Sequence, residues 1–124
     1  MAKFLFVCIS NVFRSQLAAA FFNKYAKKHD AISSGINIGK SIPSEVRIIA
    51  KEEKLKLRKP RKISESLIKN ADKIIILDSR IKLKNKKKTE RWNIPDTNPN
   101  NNKEIRRIGK KIKKRIALLV RKNN

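Results

Sequence analysis

Residues 3–28 read KFLFVCISNVFRSQLAAAFFNKYAKK, and this stretch decides the fold. KFLFVC (3–8) is an apolar run of strand length. SQLAAAFFNKYAKK (15–28) is rich in helix-forming Ala and Leu, and Leu17, Phe21 and Tyr25, with Ala18 and Phe22 beside them, recur at helical spacing. The order is strand, turn, helix, and the apolar face of the helix is expected to pack on a sheet. Between the two elements lie the residues from Cys8 to Arg14, with the chain's only thiol at one end and an arginine at the other.

The same alternation continues outward. AISSG (31–35) reads as a short second strand ending in glycine. SIPSEVRIIAKEEKLKL (41–57) carries a helix with Pro43 near its start, acids and bases four residues apart, and Val46, Ile49 and Ala50 facing inward. SESLIKNA (64–71) is a brief helix capped by Ser64, KIIIL (73–77) is a buried strand, and a basic loop follows. RWNIPDTNPNNN (91–102) holds a short last strand around Trp92 to Ile94 and then a loop marked by Pro95, Pro99 and four asparagines. From Lys103 to Lys122, Ile105, Ile108, Ile112, Ile116 and Leu119 fall on one side of a closing helix, with cations opposite.

Strands alternating with helices predict an α/β fold, a doubly wound four-stranded parallel sheet with helices on both faces, in a single domain spanning residues 1–124. Apolar residues make up 40% of the chain and occur in periodic blocks, which argues for a folded core despite a charged fraction of 35%. One cysteine cannot form an internal disulfide, the N-terminus lacks a secretory pattern, and no apolar run is long enough to span a membrane. A soluble cytoplasmic protein is expected, acting as a monomer.

Lys and Arg total 33 against 10 Asp and Glu, a formal charge of +23 that grows toward the C-terminus: residues 1–60 carry +8 and residues 61–124 carry +15. Such a field draws polyanions, and nucleic acid could be met through Lys84 to Lys88 and Lys110 to Arg115. Runs of this kind are also ordinary solvated faces, and abundant lysine and asparagine suit a compositional bias equally well. Charge alone does not decide function, and a nucleic-acid partner is not the favoured reading.

In a parallel sheet of this kind ligands bind beyond the carboxyl ends of the strands, which puts a phosphate-binding loop after the first strand, at residues 8–14. The backbone N–H groups of Ile9, Ser10, Asn11, Val12 and Phe13 can curl toward one tetrahedral anion, and the helix N-terminus adds positive potential. Arg14 closes the ring with a planar fork matched to two phosphate oxygens, leaving the sulfur of Cys8 beneath the phosphorus. Donors aimed at that sulfur stabilise the thiolate, the nucleophilic form. Ser15 can donate to it from the first helical turn, and Asn11 can tie the loop backbone into shape.

FLFVCISNVFRSQLAAAFF (4–22) resembles the N-terminal signature of the low-molecular-weight protein tyrosine phosphatases, whose fold is shared by the thioredoxin-coupled arsenate reductases. Cys8, Asn11, Arg14 and Ser15 match the family pattern position for position. The resemblance runs on through ISSG (32–35), ADKIIILDS (71–79) and WNIPDTN (92–98), nearly the whole chain. It implies a phosphomonoester hydrolase working on a phosphorylated protein or small molecule through a phosphocysteine, with Cys8 as nucleophile, Arg14 as clamp and Asp96 as general acid, and with no metal or cofactor. Asp72 and Asp78, which flank the third strand, are the competitors for the acid role; Asp78, at its carboxyl end, could approach the site, but its favoured reading is a helix cap or loop support.

The chain departs from the family pattern in places. Thr97 follows Asp96 where the family has proline, Asn98, Pro99 and Asn100 stand where aromatics often grip an aryl phosphate, Ser10 stands for a glycine and Phe13 for a second cysteine. The alternatives are an arsenate reductase needing an external thiol, since no second cysteine can resolve the oxidised first one, and a phosphate or nucleic-acid binder without catalysis. Trp92 is read as core or loop anchor, with an aromatic wall beside the substrate as its alternative. His29, among charges in KKHDA, is assigned no catalytic role.

Overall fold

The structure is a computed structural model, and it describes residues 1–84 and 87–123. Eight elements run in the order β1 (Lys3–Cys8), α1 (Arg14–Tyr25), β2 (Asp30–Gly35), α2 (Ser44–Glu53), α3 (Glu65–Asn70), β3 (Lys73–Ile76), β4 (Thr89–Arg91) and α4 (Asn102–Asn123). The four strands form one sheet in the order β2-β1-β3-β4, and all neighbours are parallel. The expected doubly wound α/β sheet is therefore present.

Alternation along the central strands explains the two layers, because successive side chains of a strand point to opposite faces. Phe4, Phe6 and Cys8 of β1 face the cluster built by Leu17, Phe21 and Phe22 of α1, Val46 and Ile49 of α2, and Ile105, Ile108, Ile112 and Ile116 of α4. Leu5 and Val7 face the other way with Ile74 and Ile76, and are covered by Leu67 and Ile68 of α3. Each such buried side chain contributes about 1.5–3 kcal/mol relative to exposure. The apolar stripe read along residues 103–122 is the face that α4 lays on α1, and all five of its predicted residues are buried.

Helix ends follow local chemistry. Ser64 Oγ accepts the N–H of Leu67 at 3.2 Å and caps α3 as expected. Helix α2 begins directly after Pro43 and stops at Lys54, which takes a left-handed conformation (φ 58°) and turns Leu55 and Leu57 back onto the core.

The last strand differs from its predicted place. It is centred on Glu90 rather than on Trp92 to Ile94, with Ile74 opposite Thr89 and Ile76 opposite Arg91. An edge strand pairs on one side only and tolerates charge, so its residues carry no apolar signature. Trp92 extends the pairing by one bond, donating from its N–H to Ile76 O at 2.8 Å. The residue is 3% exposed, and its ring packs against Phe6 and lies under the Arg115 guanidinium at 4.7 Å. It is a core and loop anchor.

His29 likewise has a structural setting: its Nδ1 accepts the N–H of Ala2 at 2.9 Å, and its Nε2 lies 2.8 Å from the carbonyl of Asn123, joining both ends of the chain. Of the two basic segments, Lys110, Lys111, Lys114 and Arg115 sit on α4, while Asn85 and Lys86 of the first segment lie outside the described residues. Among the described residues no helix is long and apolar enough to cross a membrane.

Candidate active site

The chain enters the sheet at β1, moves outward to β2, and returns across β1 to reach β3, so the connections after β1 and β3 diverge. A crevice opens there at the carboxyl ends of the strands. Cys8 ends β1 on one side of it, and Leu77 and Asp78 follow β3 on the other.

The loop from Ile9 to Phe13 is shaped by where its carbonyls go. Cys8 O accepts from Ile36 N at 3.2 Å, Ile9 O from Asn37 N at 2.8 Å and Ser10 O from Gly39 N at 2.9 Å. Asn11 O accepts from Gln16 Nε2 at 3.0 Å. With these carbonyls turned outward, the N–H groups of Ser10, Val12 and Phe13 have no acceptor among the described residues. Helix α1 starts without a side-chain cap, which leaves its N-terminal positive potential facing the same hollow.

Asn11 is the loop's internal brace. It adopts φ 55°, a left-handed conformation that asparagine tolerates better than most residues. Its side chain donates to Ser15 Oγ at 2.7 Å and Ser33 Oγ at 2.9 Å, and accepts the N–H of Arg61 at 2.9 Å. Gly35 completes the fit. A Cβ at this position would lie 2.8 Å from Ile9 O and 2.9 Å from Asn11 N, so β2 can approach the loop only through glycine.

Two donors converge on the Cys8 sulfur: the N–H of Asn11 at 3.3 Å, and Ser15 Oγ at 2.8 Å. Asn11 donates to Ser15 Oγ, which leaves the serine hydroxyl hydrogen free to point at sulfur. The thiol is buried, 2% exposed, so these two contacts are made away from bulk water.

Arg14 opens α1 and is almost wholly buried. Its Nη1 donates to Leu77 O at 3.0 Å and Ile94 O at 2.9 Å, and its Nη2 to Asp78 Oδ2 at 2.9 Å and Asp96 Oδ2 at 3.3 Å. The guanidinium thus ties the end of β3 to the late acidic loop. Hydrogen bonds from Arg80 and then from Arg14 hold the Asp78 carboxyl well below the usual carboxylate range, against the opposing effect of burial. Asp96 is the exposed member, with its side chain 45% accessible. Its Oδ1 accepts the N–H of Thr97 at 2.8 Å, a bond that proline at 97 could not make.

The structure thus joins Cys8 to Asn11 and Ser15, and Arg14 to Asp96. Ile9, Ser10 and Val12 are half-buried along the loop, but the Phe13 side chain turns away into the core. Asp78 both approaches the site through Arg14 and supports its own loop by accepting the N–H of Arg80. Ser33, Gln16 and Gly35 were not legible as site residues. The ISSG stretch and the glutamine following Ser15 carried the only available hint.

The family model for low molecular weight phosphotyrosine protein phosphatase matches residues 3–123. The chain belongs to that family. Comparison with curated proteins gives no match. Among solved structures, an arsenate reductase from Archaeoglobus fulgidus DSM 4304 is 33% identical, with 95% of this chain and 98% of that chain covered and a TM-score of 0.87. The low molecular weight protein tyrosine phosphatase from T. tengcongensis (20% identity, 98% and 99% covered, TM-score 0.85) has the same fold. So does the arginine phosphatase YwlE from Geobacillus stearothermophilus (20% identity, 98% and 92% covered, TM-score 0.82). Membership supports phosphatase-like, cysteine-based chemistry, and the same fold also serves arsenate reductases.

Proposed function

We propose that the protein is a phosphomonoester hydrolase that works through a phosphocysteine at Cys8. The observation that carries this reading is the pair of donors on the Cys8 sulfur, Ser15 Oγ and the Asn11 N–H, at the mouth of a loop whose remaining amides have no acceptor among the described residues. A structural cysteine has no need of them.

A phosphoryl group seated in the hollow meets the loop amides and Arg14 with its three non-bridging oxygens. The Cys8 thiolate attacks phosphorus in line; the S–P bond forms as the ester P–O bond breaks. Asp96, the accessible carboxyl beside Arg14, gives a proton to the departing oxygen. It then takes a proton from a water that attacks the phosphocysteine, releasing inorganic phosphate and restoring the thiolate. Phosphate oxygens compete with Asp96 for Arg14 Nη2, so substrate binding frees the carboxyl for proton transfer.

Arsenate reduction is the second reading, favoured by the 33% identity to the Archaeoglobus fulgidus enzyme. The loop geometry suits arsenate as well as phosphate. Cys8 is the only cysteine in the chain, so an arsenylated Cys8 would have to be resolved by an external thiol. One assay separates the two: hydrolysis of aryl and alkyl phosphates, and arsenite formation from arsenate with and without added thiol, comparing the parent with Cys8→Ser. Ester hydrolysis lost in the serine variant supports the hydrolase. Thiol-dependent arsenite formation without ester hydrolysis replaces it with the reductase.

A further inference from the structure

Asp78 holds a second arginine that the chemistry above leaves unused. Arg80 donates to Oδ1 from its backbone N–H at 2.8 Å and from Nε at 2.9 Å, and to Oδ2 from Nη2 at 2.8 Å. That same Oδ2 accepts from Arg14 Nη2, so two guanidinium groups meet across one carboxylate oxygen. Their settings differ: the Arg14 side chain is 3% exposed and that of Arg80 is 68% exposed.

Stability is a poor explanation for the second arginine. Asp78 already has a buried counter-ion in Arg14, and a further pair made by a solvent-exposed side chain contributes only about 0–1 kcal/mol. What the pairing does accomplish is orientation. A long, otherwise mobile side chain is held by a two-pronged contact, and its Nη1 has no partner among the described residues. Asp96, Arg14, Asp78 and Arg80 form a row of alternating charge that runs from solvent through the buried site and back to solvent. Arg14 Nη2 touches both Asp96 Oδ2 and Asp78 Oδ2, and Arg80 Nη2 touches that same Asp78 oxygen, so only one guanidinium nitrogen and one carboxylate oxygen stand between the two exposed ends of the row.

We propose that Arg80 is a specificity-determining residue that receives a second anionic group, a carboxylate or phosphoryl, carried on the leaving-group side of the substrate. The inference rests on the phosphatase reading above. In that reading Arg14 holds the transferred phosphoryl at the buried end and the leaving oxygen lies at Asp96, so the rest of the leaving group extends toward solvent, where Arg80 presents its free N–H groups. A planar fork held in place recognises a carboxylate or phosphoryl by geometry, which the many unfixed lysines of this surface cannot do. The absence of aromatics after Asp96, where Asn98, Pro99 and Asn100 stand, agrees with a leaving group gripped by charge rather than by stacking.

The test uses non-hydrolysable probes, so that binding is read whether or not turnover occurs. Benzylphosphonate and its meta- and para-carboxylated analogues are titrated calorimetrically into the full chain. For the parent, the better carboxylated probe binds about tenfold tighter than benzylphosphonate, the size of one charge-assisted hydrogen bond. Arg80→Ala should reduce that preference to about threefold or less and Arg80→Lys to an intermediate value, with benzylphosphonate affinity little changed. Lys110→Ala, which removes a charge from α4 instead, should leave the preference intact. A preference that survives Arg80→Ala, a parent with no preference, or an Arg80→Ala variant that weakens all probes alike would each overturn the inference. Turnover of phenyl phosphate, measured separately, reports on the hydrolase reading itself.

Discussion

Arg14 Nη2 and Asp78 Oδ2 lie 2.9 Å apart with both side chains buried, and this pair fixes where the guanidinium of the candidate active site points. Asp78 is not free to exchange protons, because the donors around it hold its carboxyl charged. Asp96 is accessible and joined to Arg14 by a longer contact of 3.3 Å, and in the proposed mechanism it is the carboxyl that acts on substrate. The division of labour between the two acids follows from their burial.

Removing Asp78 should therefore cost stability first. Asp78→Ala leaves a buried guanidinium without its buried counter-ion and with only the exposed Asp96 beside it, for an expected loss of about 3–5 kcal/mol in denaturant unfolding. The folded carboxyl titrates below the unfolded one, so its contribution is fully present above the unfolded value near 3.9 and is lost as pH falls below that. Unfolding free energies measured between pH about 6 and 2 should fall more steeply for the parent than for Asp78→Asn. Parallel curves would show that the pair contributes nothing to the pH dependence.

Asp96→Asn should act on the reaction and spare the fold. Substrates with poor leaving groups need the proton and should slow by about 10²–10⁴-fold, whereas activated aryl phosphates should slow far less. An equal loss on both kinds of substrate would remove Asp96 from the acid role.

Gly35→Ala places a methyl group against Ile9 O and Asn11 N, neither of which can yield without opening the loop. The expected result is an oxyanion affinity reduced at least tenfold, read by phosphate or vanadate titration, in a protein that keeps its far-ultraviolet circular dichroism. Unchanged affinity would mean that the close approach of β2 does not shape the loop.

How much of this was visible in the chain depends on the distance over which each feature is encoded. Cys8, Asn11, Arg14 and Ser15 sit within one turn and its helix, so their spacing between a strand and a helix, with the family resemblance, brought them together. The buried central strand and the closing helix were likewise legible, because the apolar run KFLFVC and the isoleucine stripe of residues 105–116 report burial directly. Asp78, and with it its partner Arg80, comes to Arg14 only because β3 lies beside β1, a relation that spacing does not carry. The last strand was misplaced by its neighbours: Trp92 and Ile94 have the apolar signature, while the edge strand itself reads Thr-Glu-Arg.

Salt should separate the enclosed site from the basic surface. Any DNA or RNA binding through Lys84, Lys87, Lys88 and the Lys110 to Arg115 face of α4 should largely vanish as salt rises from about 50 to 200 mM and should survive Cys8→Ser. Hydrolysis of a small phosphate ester should change only modestly over the same range. Nucleic-acid binding that persists at high salt with sequence preference, in a protein that hydrolyses no ester, would favour a binding role.

Rapid acid quenching followed by mass spectrometry of the Cys8 peptide looks for the covalent intermediate itself. During turnover of an aryl phosphate the peptide should carry one phosphoryl group on Cys8. The adduct should accumulate further in Asp96→Asn, where water is activated poorly, and should be absent from Cys8→Ser, which turns over no substrate. Hydrolysis that proceeds with no adduct at Cys8, or that continues in Cys8→Ser, would contradict the account.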